Sequence, residues 1–131
     1  MPLMEGQNYG MWGKAISMTH YIYLLAPIVL KDVDKVIYLD TDMIVNSDLE
    51  IVFNTDMQNC LLGMGAPRGM EEMGDDVCNS GFEVLNLDLW RKENTLETLL
   101  KFGSELPRGN FCDQKLLYEY FTKSNPNRLY L

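Results

Sequence analysis

The sequence has no apolar run long enough to cross a bilayer. The longest, residues 21–30, is ten residues between His20 and Lys31, about half of the roughly 20 that a spanning helix needs. Basic charge is also scarce, with 11 Lys and Arg against 19 Asp and Glu and a formal net charge of −8. Such a balance repels phosphate backbones and anionic lipid, so neither nucleic acid nor a membrane is expected as the main partner. An anionic substrate would then need a metal ion or local donors. Cysteine is sparse and odd in number: Cys60, Cys78 and Cys112 show no close pairing. That excludes a disulfide framework or thiolate zinc site and suits free thiols in a reducing compartment. The amino terminus lacks the basic-then-apolar pattern of a secretory leader, and the expectation is a cytoplasmic protein. There is no internal repeat and no low-complexity tract, and the one histidine, His20, is expected to be structural or solvent-facing.

What is present is ordinary in bulk and specific in detail. A chain of 131 residues with 47% hydrophobic content can bury one core, so a single domain over 1–131 is expected. Residues 36–45 read Val-Ile-Tyr-Leu-Asp-Thr-Asp-Met-Ile-Val, two carboxylates inside an apolar run. The run predicts a buried strand, and a buried strand does not hold ionised Asp without compensation. On an extended segment Asp40 and Asp42 share one side while Thr41 faces away, with Cα atoms about 6.5 Å apart. Both can then converge on one cation, the more so if the strand bends at its end. Oxygen-only ligands favour Mg or Mn over Zn, and few protein ligands leave coordination positions for substrate phosphate. An EF-hand-type calcium loop is excluded, because Val45 and Ile51 occupy the positions that need Gly and Glu.

Around this run the pattern alternates. Residues 1–13 read as loop. Met18, Tyr21, Ile22, Leu25, Ile28 and Val29 follow helical spacing, with Pro27 kinking or restarting the helix. After the acidic strand come a short helix opened by Ser47 or Asp48 and running to about Phe53, a strand over 60–65, a mobile connection over 66–77, and a strand over 82–89. Asn94 with Glu97 predicts a capped helix ending at Gly103, and Asp113 caps a last helix whose face is Leu116, Leu117, Tyr120 and Phe121. Buried strands alternating with helices predict an α/β layered domain with a mostly parallel sheet. In such sheets ligands bind beyond the carboxyl ends of strands. Asn79-Ser80-Gly81 and Asp113-Gln114 are the next candidates: Gly81 permits close backbone approach, Asn79 offers donor and acceptor to hydroxyls, and a helix start favours an anion. Trp90 is expected in the core.

Asp40-Thr41-Asp42 in its apolar frame, Asn79-Ser80-Gly81 ahead of Val84-Leu85-Asn86-Leu87 and Trp90-Arg91, then Asp113-Gln114, resembles the family 8 retaining glycosyltransferases, which include glycogenins and lipooligosaccharide galactosyltransferases. The resemblance runs from about residue 17 to 120. It implies a GT-A fold and transfer of a sugar, with retention, from a nucleotide-sugar donor such as a UDP-sugar to a glycan, lipooligosaccharide or protein acceptor. By position it implies that Asp40 and Asp42 hold Mn or Mg, and that Asp40 and Thr41 lie at the donor. Asn79, Ser80 and Gly81 would line its sugar, and Asp113 and Gln114 flank the reacting carbon. Tyr23 stands where the family commonly has a donor-contacting Arg, Pro67 where it often has an acceptor-binding Asp, and Lys115 replaces the second acid of Asp-Gln-Asp. The family's first nucleotide-binding strand would precede Met1, and its His- and Lys-bearing tail would follow Leu131. A GT-A domain incomplete at both ends is therefore expected, with weak or no activity alone and oligomerisation possible. Two rivals remain: a non-catalytic fragment or degenerate copy, and a haloacid-dehalogenase-like phosphohydrolase with Asp40 as nucleophile. The second lacks that family's further Ser or Thr, Lys and acidic motifs.

Overall fold

The computed structural model describes residues 18–65, 79–106 and 113–130, with side chains from residue 21 onward. The readings for residues 1–13 and 66–77, for Pro67, Cys78 and Cys112, and for the His20 side chain lie outside the described residues. Helical spacing near the start is realised as a 3-10 helix, Met18–Leu25, followed by one α-turn, α1 (Ala26–Val29), with Pro27 in its opening positions. Proline has no N–H to donate, so it fits the start of a new turn where no intrahelical acceptor is waiting. The chain then passes through β1 (Lys35–Leu39), α2 (Glu50–Phe53), β2 (Leu62–Gly65), β3 (Asn79–Asn86), α3 (Leu87–Lys92), α4 (Thr95–Glu105) and α5 (Asp113–Glu119). A π-helical turn (Tyr120–Ser124), a 3-10 turn (Pro126–Arg128) and β4 (Leu129–Tyr130) close it.

The sheet order is β1-β3-β2-β4. β3 runs antiparallel to both β1 and β2, and the β2–β4 pair is parallel. The sheet is therefore mixed, which corrects the expectation of a mostly parallel one. Apolar runs report that a strand is covered on both faces, and strand direction does not enter that pattern.

Three element boundaries also differ from expectation. β1 ends at Leu39, and residues 40–43 form a turn closed by Met43 N–H donating to the Asp40 carbonyl at 3.1 Å. Met43, Ile44 and Val45 continue the apolar run in sequence yet lie exposed. The strand expected over 82–89 starts earlier, at Asn79, and stops at Asn86. There the Asn86 side chain accepts the Leu89 N–H at 3.2 Å and caps α3. Asn94 does not cap α4 through its side chain. It sits at φ 51 and closes α3 instead, a left-handed position that Asn tolerates. Gly103, expected as a terminator, is buried within α4.

The core lies between the sheet and the helices. Leu62, Leu85, Leu87, Leu99, Leu117, Trp90 and Phe121 are almost wholly inaccessible. Trp90 is a core residue as expected, its indole N–H donating to the Leu61 carbonyl at 2.8 Å. Leu116, Leu117, Tyr120 and Phe121 form the buried face of the last helical segment, also as expected. Two cations tie β1 in place. Lys35 donates from Nζ to the Phe53 and Thr55 carbonyls at the end of α2, and Arg91 clasps the Leu30 and Val33 carbonyls and Asp34 ahead of β1.

Candidate active site

Strand pairing brings the two principal motifs together. β1 and β3 pair in continuous register from Lys35 opposite Asn86 to Leu39 opposite Phe82. One step further, Asp40 N–H donates to the Gly81 carbonyl at 2.9 Å. The Asp-x-Asp segment thus leaves the sheet directly beside Asn79-Ser80-Gly81. The closeness requires glycine: a Cβ at position 81 would lie 3.0 Å from Asp40 Oδ2 and 2.8 Å from Asn79 Oδ1. Asn79 uses that Oδ1 to accept the Gly81 N–H at 2.7 Å.

β3 departs from β2 at the same place. Met64 pairs with Glu83, but the next β2 residue, Gly65, pairs with Asn79. Residues 80–82 therefore stay laced to β1 while bulging away from β2, an irregularity that re-aims side chains at a strand end.

Behind Asp40 stands a polar group that reasoning from sequence motifs misses. Tyr38 donates its hydroxyl to Asp40 Oδ1 at 2.7 Å, and its ring stacks on Tyr23 at a centroid distance of 4.1 Å and 19° between planes. The Tyr23 hydroxyl lies 3.1 Å from Asp113 Oδ2 and 3.4 Å from Glu83 Oε1. Asp113, at the start of α5, is thereby linked through two stacked tyrosines to Asp40, 73 positions earlier in the sequence. Tyr23 is buried within this stack, so the position read as a departure from a donor-contacting Arg serves to join the two acids. Burial raises both phenols well above the ordinary tyrosine range. For Tyr23 the Glu83 and Asp113 charges add to the rise, and for Tyr38 the bond to Asp40 does. Both remain neutral donors at any physiological pH.

Glu83 is fully buried, and its Oε2 has no hydrogen-bond partner among the described residues. Burial, then the neighbouring Asp113, raise its carboxyl well above the ordinary glutamate range of about 4.5, against a smaller opposing effect of the Tyr23 bond. The signal for Glu83 was available: it interrupts an apolar strand just as Asp40 does. Tyr23 and Tyr38 carry no such mark, because aromatic residues in helices and strands read as core.

The other candidates are placed as follows. Thr41 and Asp42 are exposed in the turn after β1, Ser80 is half-buried on β3, and Gln114 is half-buried on α5 beside the buried Asp113. Asp42 therefore reaches solvent from a turn, where a continuing strand was expected. Lys115 is exposed.

The donor set suits a weakly held hard cation. Asp40 has one oxygen engaged by Tyr38 and the other close beside Gly81, and Asp42 adds a carboxylate on an exposed residue. Among the described residues no group of three or more His, Cys, Asp or Glu could hold a metal on its own, so an ion at the two aspartates would share its coordination with water and substrate oxygens.

This mixed α/β domain has the fold of the GT-A glycosyltransferases. Over residues 11–126 the sequence matches glycosyl transferase family 8, and the chain belongs to that family. Solved structures agree. The apo form of the glycosyltransferase GlyE from Streptococcus pneumoniae TIGR4 superposes with a TM-score of 0.69 at 24% identity over 91% of this chain and 29% of its own. The galactosyltransferase LgtC in complex with donor and acceptor sugar analogs gives 0.61 at 25% identity over 88% and 44%. Mouse xyloside xylosyltransferase 1 gives 0.65 at 21% identity over 99% and 57%. This chain thus spans less than two thirds of each of these proteins. No curated protein matches the sequence. Family membership sets aside the phosphohydrolase reading of Asp40. Among the described residues no helix is long and apolar enough to cross a membrane.

Proposed function

We propose that this chain forms, as one partial domain, the donor-binding core of a divalent-metal-dependent transferase. It would move a sugar, with retained anomeric configuration, from a nucleotide diphosphate donor to a glycan, lipooligosaccharide or protein acceptor. The observation that supports this reading is the junction of Asp40 with Gly81, where a backbone bond and contacts too close for a Cβ set the Asp40 carboxylate beside Asn79. In the proposal Asp40 and Asp42 hold Mn or Mg, Asp40 and Thr41 lie against the nucleotide, and Asn79, Ser80 and Gly81 grip the donor sugar. Asp113 and Gln114 flank its anomeric carbon as the catalytic pair.

A bound Mn or Mg supplies Lewis-acid neutralisation of the charge growing on the departing diphosphate. The chain's own residues do the rest. Tyr38 fixes the rotamer of Asp40, Gly81 lets backbone and sugar approach, and Tyr23 holds Asp113 at the head of α5. An acidic protein that binds an acidic donor needs the cation, which fits the net charge of −8. The sparse, odd-numbered cysteines and the composition support a cytoplasmic setting.

The test is a transfer and donor-hydrolysis assay with Mn, spanning UDP-galactose and UDP-xylose because galactosyl- and xylosyltransferases both stand among the structural neighbours. Asp40→Asn and Asp113→Asn should each abolish turnover. Turnover that survives Asp40→Asn would overturn the proposal. The 131-residue chain alone should turn over slowly or not at all.

A further inference from the structure

The group formed by Tyr23, Glu83 and Asp113 has too few protons if both acids are ionised. A phenol has one O–H, and the Tyr23 oxygen lies within hydrogen-bond reach of both Asp113 Oδ2 and Glu83 Oε1. That proton can serve one carboxylate only. It belongs to the nearer, Asp113, because an acceptor at 3.1 Å outcompetes one at 3.4 Å. The Tyr23 oxygen then faces Glu83 with a lone pair, and two lone pairs at that distance repel unless a proton lies between them.

Among the described residues the surroundings of Glu83 offer no other compensation. From β1 the facing group is Tyr38, its cross-strand neighbour, with Asp40 beyond it. From the 3-10 helix it is Tyr23, from α5 Asp113, and from β2 the uncharged Met64. None of the four ion pairs among the described residues includes Glu83. A fully buried carboxylate with one unpartnered oxygen and acidic neighbours is strongly disfavoured.

We propose that Glu83 is a neutral carboxylic acid that donates its proton to the Tyr23 oxygen, and that this commits the Tyr23 proton to Asp113, making Glu83 and Tyr23 positioning residues for Asp113. The chain runs in one direction, Glu83 O–H to Tyr23 O–H to Asp113 carboxylate, and every proton has one acceptor. It rests on the proposed role of Asp113 for its catalytic meaning, but not for its existence. Burial and the nearby Asp113 push the Glu83 carboxyl in the same direction, toward the protonated form at neutral pH. Because glutamine is also neutral and donates from its amide, Glu83→Gln keeps the direction of the chain, whereas Glu83→Leu fills the space and breaks it.

The test compares the wild-type chain with Glu83→Gln, Glu83→Leu and Tyr23→Phe. Infrared difference spectra at neutral pH, wild type minus Glu83→Gln, should show the C=O stretch of a protonated carboxylic acid, shifted in Tyr23→Phe, which removes its acceptor. In thermal unfolding at the same pH, Glu83→Gln should melt at or above wild type, and Glu83→Leu below it. Where turnover is measurable, Glu83→Gln should retain kcat within about twofold while Glu83→Leu loses about tenfold, the kinetic equivalent of one hydrogen bond, at little change in KM. Absence of the carboxylic band, or Glu83→Gln as damaging as Glu83→Leu, would overturn the inference. The spectroscopic and unfolding measurements involve no sugar transfer. Failure of the transferase proposal therefore shows only in the assay, and failure of this one in the spectra.

Discussion

Tyr38 holds one oxygen of Asp40, and removing that hydroxyl tests the site without emptying the core. Tyr38→Phe keeps the ring stacked on Tyr23, so the melting temperature should stay within a few degrees, while Asp40 gains rotamer freedom. A hydrogen bond to a charged acceptor contributes roughly 1.5–3 kcal/mol at most, less at a half-exposed site. Mn-dependent donor affinity, read by calorimetry, should therefore fall about tenfold or less. Gly81→Ala acts from the other side. Its Cβ meets Asn79 Oδ1 and Asp40 Oδ2 at contact distances real structures avoid, so both side chains must swing away. Donor affinity in the same calorimetric titration should fall further than for Tyr38→Phe.

Glu83 gives the pH dependence. Its folded carboxyl binds a proton more tightly than its unfolded one, whose range is near 4.5. Between that value and the higher folded one the native state holds more protons, so its contribution to stability falls as pH rises. Urea midpoints taken from pH 5 to 8 should decline in wild type relative to Glu83→Gln, and parallel curves would contradict this. At this scale the motif acids were legible because a charge inside an apolar run is a visible anomaly. Tyr23 and Tyr38 were not, since their role lies in where two rings 15 positions apart meet.

At the level of elements, the β3–α3 junction shows what hydropathy can and cannot mark. Residues 82–89 carry apolar side chains at 82, 84, 85, 87 and 89 with no break in density, yet the chain turns from strand to helix at Asn86 because its side chain accepts the Leu89 N–H. Asn86→Ala removes that cap and should lower the unfolding free energy by about 1 kcal/mol, measured by denaturant titration. The Asn86 N–H bond to the Leu61 carbonyl is backbone and should persist. The same carbonyl also accepts the Trp90 indole N–H, so one residue anchors both β3 and α3. Capping-box spacing at Asn94 marks where α4 begins although its side chain makes no cap, and the glycine at position 103 suggested an end that the fold passes by two residues. A left-handed Asn can end one helix as readily as an oxygen can begin the next, and local sequence does not choose between them. The mixed sheet belongs to the same class of information: burial is written in composition, and direction is decided by which strands meet.

For the molecule as a whole, family and layer architecture were legible, because three motifs in fixed order identify a scaffold even at about 25% identity. The surface was not. Ile44 is 91% exposed although it continues a run that read as a buried strand, and Ile51 on α2 is 80% exposed. Apolar groups this open drive association, and the net charge of −8 opposes it. Raising the salt screens the charge and leaves the apolar attraction. The isolated chain should therefore shift toward larger species between low and high salt in size-exclusion chromatography with light scattering, and Ile44→Lys combined with Ile51→Lys should suppress the shift.

The bulge on β3 has an evolutionary corollary. Along β1 the pairing is unbroken, so one residue inserted between Phe82 and Glu83 would exchange the sheet faces that Glu83 and Val84 occupy. Along β2 the ladder already skips after Met64, and an insertion there breaks no regular pairing. One strand thus has a strict edge and a permissive edge. A lineage carrying this gene can lengthen or shorten the chain beyond Met64 while the acids, the tyrosines and the core keep their register.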